Sequence, residues 1–212
     1  MGRVKQLAIL ATLASLPLDA QRIEITPTIG MYAPLAEQLY MWRPVASSTG
    51  YFVDSLHAKV EPAVSMGIKV AARIGQFGLE TSAITAAGKL RTARSSGVEQ
   101  LDARTSMAAA RVVFHMRFSS AVEGAFAVGP TFVWLAGQAY EHSGPSDRSV
   151  LGLTAAARAA ILLSQRLHLE IGLADYVYQL DFGDPGPPPD ILRSRLQHDL
   201  VTTLGVTIPL RP

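Results

Sequence analysis

The alternation of apolar and polar residues over Ala103–Gly137 constrains this chain more than any other feature. Ala108, Ala110, Val112, Phe114, Met116 and Phe118 fall on one parity, and Met107, Ala109, Arg111, Val113, His115 and Arg117 on the other. After Ser119-Ser120-Ala121 the pattern resumes, with Val122, Phe126, Val128, Phe132 and Trp134 against Glu123, Ala125, Ala127, Gly129 and Thr131. A period of two over two long runs, with a short turn between them, predicts a β-hairpin. One face is continuously apolar. The other mixes Ala and Gly with Arg, His and Glu.

Six further segments repeat the pattern, at about 22–33, 60–74, 79–88, 149–163, 167–182 and 195–210, which makes eight with the hairpin. The third alternates least, being rich in Ala and Thr, and Asp175 breaks the apolar face of the seventh, as a bulge or the edge of the apolar band would. The connections after the first, third, fifth and seventh segments (34–59, 89–102, 138–148 and 183–194) are long. Those at 75–78, 119–121 and 164–166 are short. Short turns at one end and long loops at the other are the habit of an up-and-down barrel threaded through an outer membrane from inside. Composition fits: 49% of residues are hydrophobic and 17% charged, below the roughly 25% charged of soluble domains. No run of about 18 apolar residues offers a spanning helix. The alternative reading is a soluble lipocalin-like barrel that binds a small ligand.

The pattern resembles the small bacterial outer-membrane β-barrels of the OmpA/OmpX kind. The resemblance covers nearly all of the chain after its first 20 residues. It implies an eight-stranded antiparallel up-and-down transmembrane β-barrel in the outer membrane of a Gram-negative envelope, with the lipid bilayer as its partner. The ending Ile208-Pro209-Leu210-Arg211-Pro212 departs from the aromatic residue that usually closes such barrels. No peptidoglycan-binding domain is visible, so a cell-wall tether is not implied.

Met1–Ala20 reads as a cleaved secretory signal peptide, with basic Arg3 and Lys5, an apolar core over Leu7–Leu16, and Pro17 before Leu18-Asp19-Ala20. The expected domains are therefore 1–20, the signal, and 21–212, the barrel. The chain without that signal balances 17 basic against 16 acidic residues, from totals of 19 and 17 less Arg3, Lys5 and Asp19. Such balance argues against nucleic-acid binding, which calls for a basic patch. There is no cysteine, so disulfides, thiolate metal sites and cysteine nucleophiles are excluded.

The polar face carries Arg and Glu among small residues, which suits the narrow interior of an eight-stranded barrel. An interior charge network is expected from Arg73, Glu80, Arg111, His115, Arg117, Glu123, Arg158, His168 and Glu170. The turn at 119–121 sets Arg117 opposite Glu123. A turn at 75–78 would set Arg73 opposite Glu80. The turn at 164–166 sets His168 opposite Leu162 and Glu170 diagonal to Arg158. Directly opposed Cβ atoms are about 4.5–5.5 Å apart, within ion-pair reach.

Tyr40 and Trp42, in the first long connection, and Trp134 are expected as interface aromatics. The first connection could instead form a lid or an adhesive surface. His142-Ser143 with Asp181 could assemble as base, nucleophile and orienting carboxylate of a lipid hydrolase at the rim, but nothing in their spacing demands it. No metal-ligand or phosphate-binding spacing appears, so neither a metal nor a cofactor is expected. The leading functional expectation is a monomer with a filled interior and a structural or surface-interaction role through its outer loops. The alternatives are the rim hydrolase, the soluble ligand-binding barrel, and passage of a small hydrophobic molecule through a side opening.

Overall fold

The computed structural model describes residues 22–36, 39–47, 50–94, 97–141, 148–164, 166–180 and 195–210; within 39–57, and at 94 and 195, it describes the backbone alone. Ten strands follow in order: β1 (Arg22–Pro34), β2 (Leu39–Ser47), β3 (Gly50–Val60), β4 (Ala63–Ile74), β5 (Phe77–Arg94), β6 (Gly97–Arg117), β7 (Val122–Ala136), β8 (Ser149–Ser164), β9 (Leu167–Leu180) and β10 (Arg195–Pro209). A 3-10 turn lies at Gln138–Tyr140. All pairings are antiparallel, and eight strands close a ring in the order β4-β1-β10-β9-β8-β7-β6-β5, with β5 pairing back to β4.

The first long connection is not a loop. Its residues form β2 and β3, a hairpin whose β3 adds to β5 through Ala58↔Thr92 and Val60↔Leu90. β3 and β4 follow one another along the same edge of β5, shifted by one residue across Glu61-Pro62, where Pro62 has no N–H to give a ladder. Nor is 89–102 a loop: β5 and β6 stay paired without a register break from Phe77↔Phe114 to Arg94↔Gly97. The two hairpins therefore extend the barrel wall as a ribbon at one end. Burial still alternates at the base of the ribbon, where Ala58, Val60, Leu90 and Thr92 are buried, but at its tip both faces are exposed over Gly97–Gln100 and the alternation is lost.

At the other end the turns are tight. Ile74 pairs with Phe77, leaving Gly75 and Gln76 as a two-residue turn, and Gly75 supplies the positive φ (60°) that such turns require. Gly78 belongs to β5, which moves the register by two residues from the sequence expectation. Arg117↔Glu123 closes the central hairpin around 118–122, and Ser164↔Leu167 closes that of β8 and β9, after an irregularity between Leu162 and Ser164. The ladder runs unbroken through Asp175, which faces Leu200 and Ala155, so no bulge lies there.

Apolar parity faces out. Ile29, Met66, Ile68, Phe126, Val128, Leu151, Leu153 and Ile171 are exposed. The inward parity buries Thr26, Glu80, Val113, Thr131, Tyr176 and Val201. A soluble barrel would invert this arrangement, whereas a barrel in lipid requires it. Phe77, Phe114 and Phe126 stand side by side on the outward face at the turn end, the first two with ring centres 5.5 Å apart. Near the ribbon end, Trp134 packs edge-on against Phe132 with centres 4.3 Å apart. Trp134 is eight positions beyond Phe126 in the chain, roughly 20 Å along the axis for a strand rising ~3.3 Å per residue at a ~40° tilt. That is close to the ~25 Å apolar band of outer-membrane barrels, with aromatics at its two borders.

Candidate functional site: the filled interior and the outer ribbon

The half of the interior nearest the tight turns is ionic. Glu80, wholly buried, accepts from Arg111 Nη1 on the neighbouring β6 at 2.9 Å and from Arg158 on β8 across the lumen. Arg158 Nε lies 3.5 Å from Glu170, which also pairs with Lys69 of β4. Charges thus alternate along Arg111–Glu80–Arg158–Glu170–Lys69. Arg111 also donates to Tyr176 Oη at 2.7 Å and to Thr154 Oγ1 at 3.3 Å, with its guanidinium carbon 5.3 Å from the Tyr176 ring centre. A guanidinium has five donors to satisfy, and this one draws on a carboxylate, a phenol and a hydroxyl from three strands.

Closer to the rim, Arg73 Nη1 lies 2.7 Å from Glu123, reaching it from β4 across the lumen. Arg117 Nη2 approaches the same carboxylate at 3.3 Å but leaves its side chain 62% exposed. His168 Nε2 sits 2.9 Å from an Arg22 guanidinium nitrogen, and Arg22 pairs with Glu24 at 3.0 Å. His115 is buried against Gly78, and its Nε2 has no partner among the described residues.

The structure thus joins Glu80, Arg111, Arg158 and Glu170 in one cluster, and Arg73, Arg117 and Glu123 in another. Arg73 does not face Glu80. It lies opposite Gly78, because the turn is two residues long, and Glu80 lies opposite Ala71. Lys69, Arg22 and Glu24 were missed, although each sits on the polar parity of its segment.

The half nearest the ribbon is different. Tyr32, Val133, Tyr176, Tyr178, Leu180 and Val201 are almost wholly buried there. Asp199 is enclosed among them. Its Oδ2 accepts from Tyr178 at 2.6 Å and Tyr32 at 2.9 Å, while Oδ1 has no partner among the described residues. The spaces left inside are small among the described residues. One of about 20 Å³ is bounded by Glu24, His115, Glu123, Arg158, His168 and Glu170, and another of about 40 Å³ lies beside Lys69, Glu80, Ser82, Arg111 and Tyr176. Each has room for a water or so.

On the outside, His198 Nδ1 and Asp175 Oδ2 approach to 3.1 Å, so the carboxylate that interrupts the apolar face has a neighbour that can donate to it. Tyr40 and Trp42 lie on β2, in the ribbon rather than in a loop; their side chains lie outside the described residues, as do His142, Ser143 and Asp181. The described residues hold no cluster of three His, Asp or Glu fit to bind a metal.

No protein-family model matches this sequence, and no curated protein sequence does either. Solved structures do match. The outer membrane protein OprG from Pseudomonas aeruginosa aligns at a TM-score of 0.64 with 11% identity, over 91% of this chain and 97% of that one. Neisserial surface protein A (NspA) aligns at 0.55 with 10% identity, over 88% and 96%. At such identities the likeness is one of fold. The chain has the fold of the small eight-stranded outer-membrane β-barrels.

Proposed function

We propose that the protein is an outer-membrane barrel with a sealed interior, and that its work is done on the outside, by the ribbon of β2–β3 and the far ends of β5–β6. The observation that carries this reading is the filling of the interior by an ionic network in one half and by a Tyr-, Val- and Leu-rich cluster around Asp199 in the other, with the spaces between side chains water-sized among the described residues. Such a lumen does not pass solutes as a wide barrel does. The ribbon instead offers an extended surface with exposed residues on both faces at Gly97–Gln100. The proposed role is structural or one of surface interaction. The outward apolar band supports residence in the outer membrane.

Cells expressing the full chain test the placement. The protein should stay in the membrane fraction through salt and urea washes. Trypsin added to intact cells should cut the ribbon at Arg91 or Arg94 and leave the barrel strands protected. A protein that washes off, or a ribbon cut only after the cells are opened, would overturn the reading.

A further inference from the structure

The outward face of the ribbon carries a basic cluster just beyond the apolar band. Lys59 on β3 lies opposite Arg91 on β5. Lys89 lies opposite Asp102 on β6, and Ala87 opposite Arg104. Lys59, Lys89, Arg91 and Arg104 are all exposed. No salt bridge among the described residues engages any of them. The nearby carboxylates are Asp102 and Glu61, and Glu61 accepts from Gln100 at 3.3 Å. Four cations against two carboxylates leave the patch positive.

The level of the patch follows from the register. Trp134 lies opposite Ser106, and Ala136, two positions on, lies opposite Arg104. Arg104 therefore stands one outward-facing step beyond Trp134. An indole on the outward face marks the border of the hydrocarbon, so the next step belongs to the headgroup layer. A groove of about 550 Å³ opens there, floored by Ala87, Gly88, Ala103, Ala136 and Gly137 and flanked by Lys89 and Arg104, with Asp102 as its one acidic lining residue. It exists because β7 stops while β5 and β6 continue. At Gly137 the backbone turns away with φ at 107°, and a Cβ there would come within 2.4 Å of the Asp102 carbonyl oxygen.

We propose that this groove binds the phosphate groups of an outer-leaflet lipid, with Lys89 and Arg104 as the principal contacts and Lys59 and Arg91 as further cations. Arg supplies paired N–H donors to phosphate oxygens, and Lys a mobile point charge. The small floor lets a headgroup lie flat against the sheet while its acyl chains run down the outward apolar face. The inference rests on the outward placement of the ribbon proposed above.

The test uses the full chain folded in neutral-detergent micelles, where placement in a cell plays no part, so its failure is distinct from failure of the placement. Diphosphorylated lipid A, fully dephosphorylated lipid A or phosphatidylcholine is added in equal amounts. Lipid retained per barrel is read by native mass spectrometry. Diphosphorylated lipid A should be retained at least tenfold more than either other lipid. The Lys59→Gln/Lys89→Gln/Arg91→Gln/Arg104→Gln variant should lose that preference, as should Lys89→Gln/Arg104→Gln in larger part, with folding checked by gel mobility before and after heating. Arg166→Gln, at the turn end, should leave it unchanged. Equal retention of the phosphorylated and dephosphorylated lipids, or full retention by the folded double variant, would overturn the proposal. So would selective binding of an acidic peptide that phosphorylated lipid does not displace.

Discussion

Glu123 on β7 takes its closest ion pair from Arg73 on β4, 2.7 Å away across the lumen, and not from Arg117, its register partner on the neighbouring strand. The two strands are separated around the ring by β5 and β6. The pair therefore ties opposite walls together. Arg117, at the mouth, reaches the same carboxylate from a largely solvated position.

This arrangement predicts unequal coupling. Arg73→Ala leaves Glu123 buried with only an exposed partner, and breaking a buried pair costs about 3–5 kcal/mol, less where water enters. Arg117→Ala should cost under about 1 kcal/mol, as exposed pairs do. Unfolding in lipid vesicles of Arg73→Ala, Glu123→Ala and the double variant should be clearly non-additive, while the Arg117 and Glu123 cycle should be nearly additive. The reverse ranking would mean that the lumen-crossing pair does not form.

Glu80 predicts a larger loss. It serves two guanidiniums while wholly buried. Glu80→Ala strands Arg111 and Arg158 together and should cost at least about 3–5 kcal/mol. Glu80→Gln, which keeps a single acceptor oxygen, should cost less. The same vesicle unfolding measurement ranks the two, and equal stability of Glu80→Ala and the parent chain would contradict the network.

Asp199 gives a third expectation. Tyr32→Phe and Tyr178→Phe each remove one hydrogen bond to a buried carboxyl group. Bonds to a charged group are worth about 1.5–3 kcal/mol. The double replacement should destabilise more than either single one. Unchanged melting of the double variant would mean that the tyrosines do not hold Asp199.

The lipid-facing parity is testable at two depths. Leu153→Arg should destabilise the inserted barrel by about 2–4 kcal/mol, because its register partner Pro130 lies midway between the border aromatics Phe126 and Trp134. Phe126→Arg, at the border, should cost no more than about 1 kcal/mol. Ala127→Arg instead drives a guanidinium into the filled lumen beside Val113, where crowding opposes it. Tolerance of Arg at 153 combined with a folding defect only at 127 would place 153 outside the bilayer.

The barrel was legible because lipid outside and a narrow lumen inside write themselves on every strand with a period of two. Val112, Phe114 and Phe126 could not have sat on either face indifferently. Neighbour relations set by a turn, such as Arg117 with Glu123, were legible too. Partners across the lumen were not: hairpin spacing says nothing of strands separated around the ring, which is why Arg73 with Glu123 and Lys69 with Glu170 were missed. Gly75 and Gly78 together read as one turn, but only Gly75 is in it, and Gly78 accommodates the His115 ring. The ribbon was hidden because toward its tip the strands lose the alternation that betrays them inside the bilayer. Tyr32 and Asp199 both stood on the polar parity, but no local spacing joins residues so far apart in the chain.

Conductance across a planar bilayer tests the central claim, a sealed eight-stranded barrel, most directly. The folded full chain, inserted and held under a steady potential, should give no stable current steps. Stable steps that persist as salt is varied would mean that a continuous aqueous path runs past Glu80, Arg158 and the buried tyrosines, and the filled interior would be wrong.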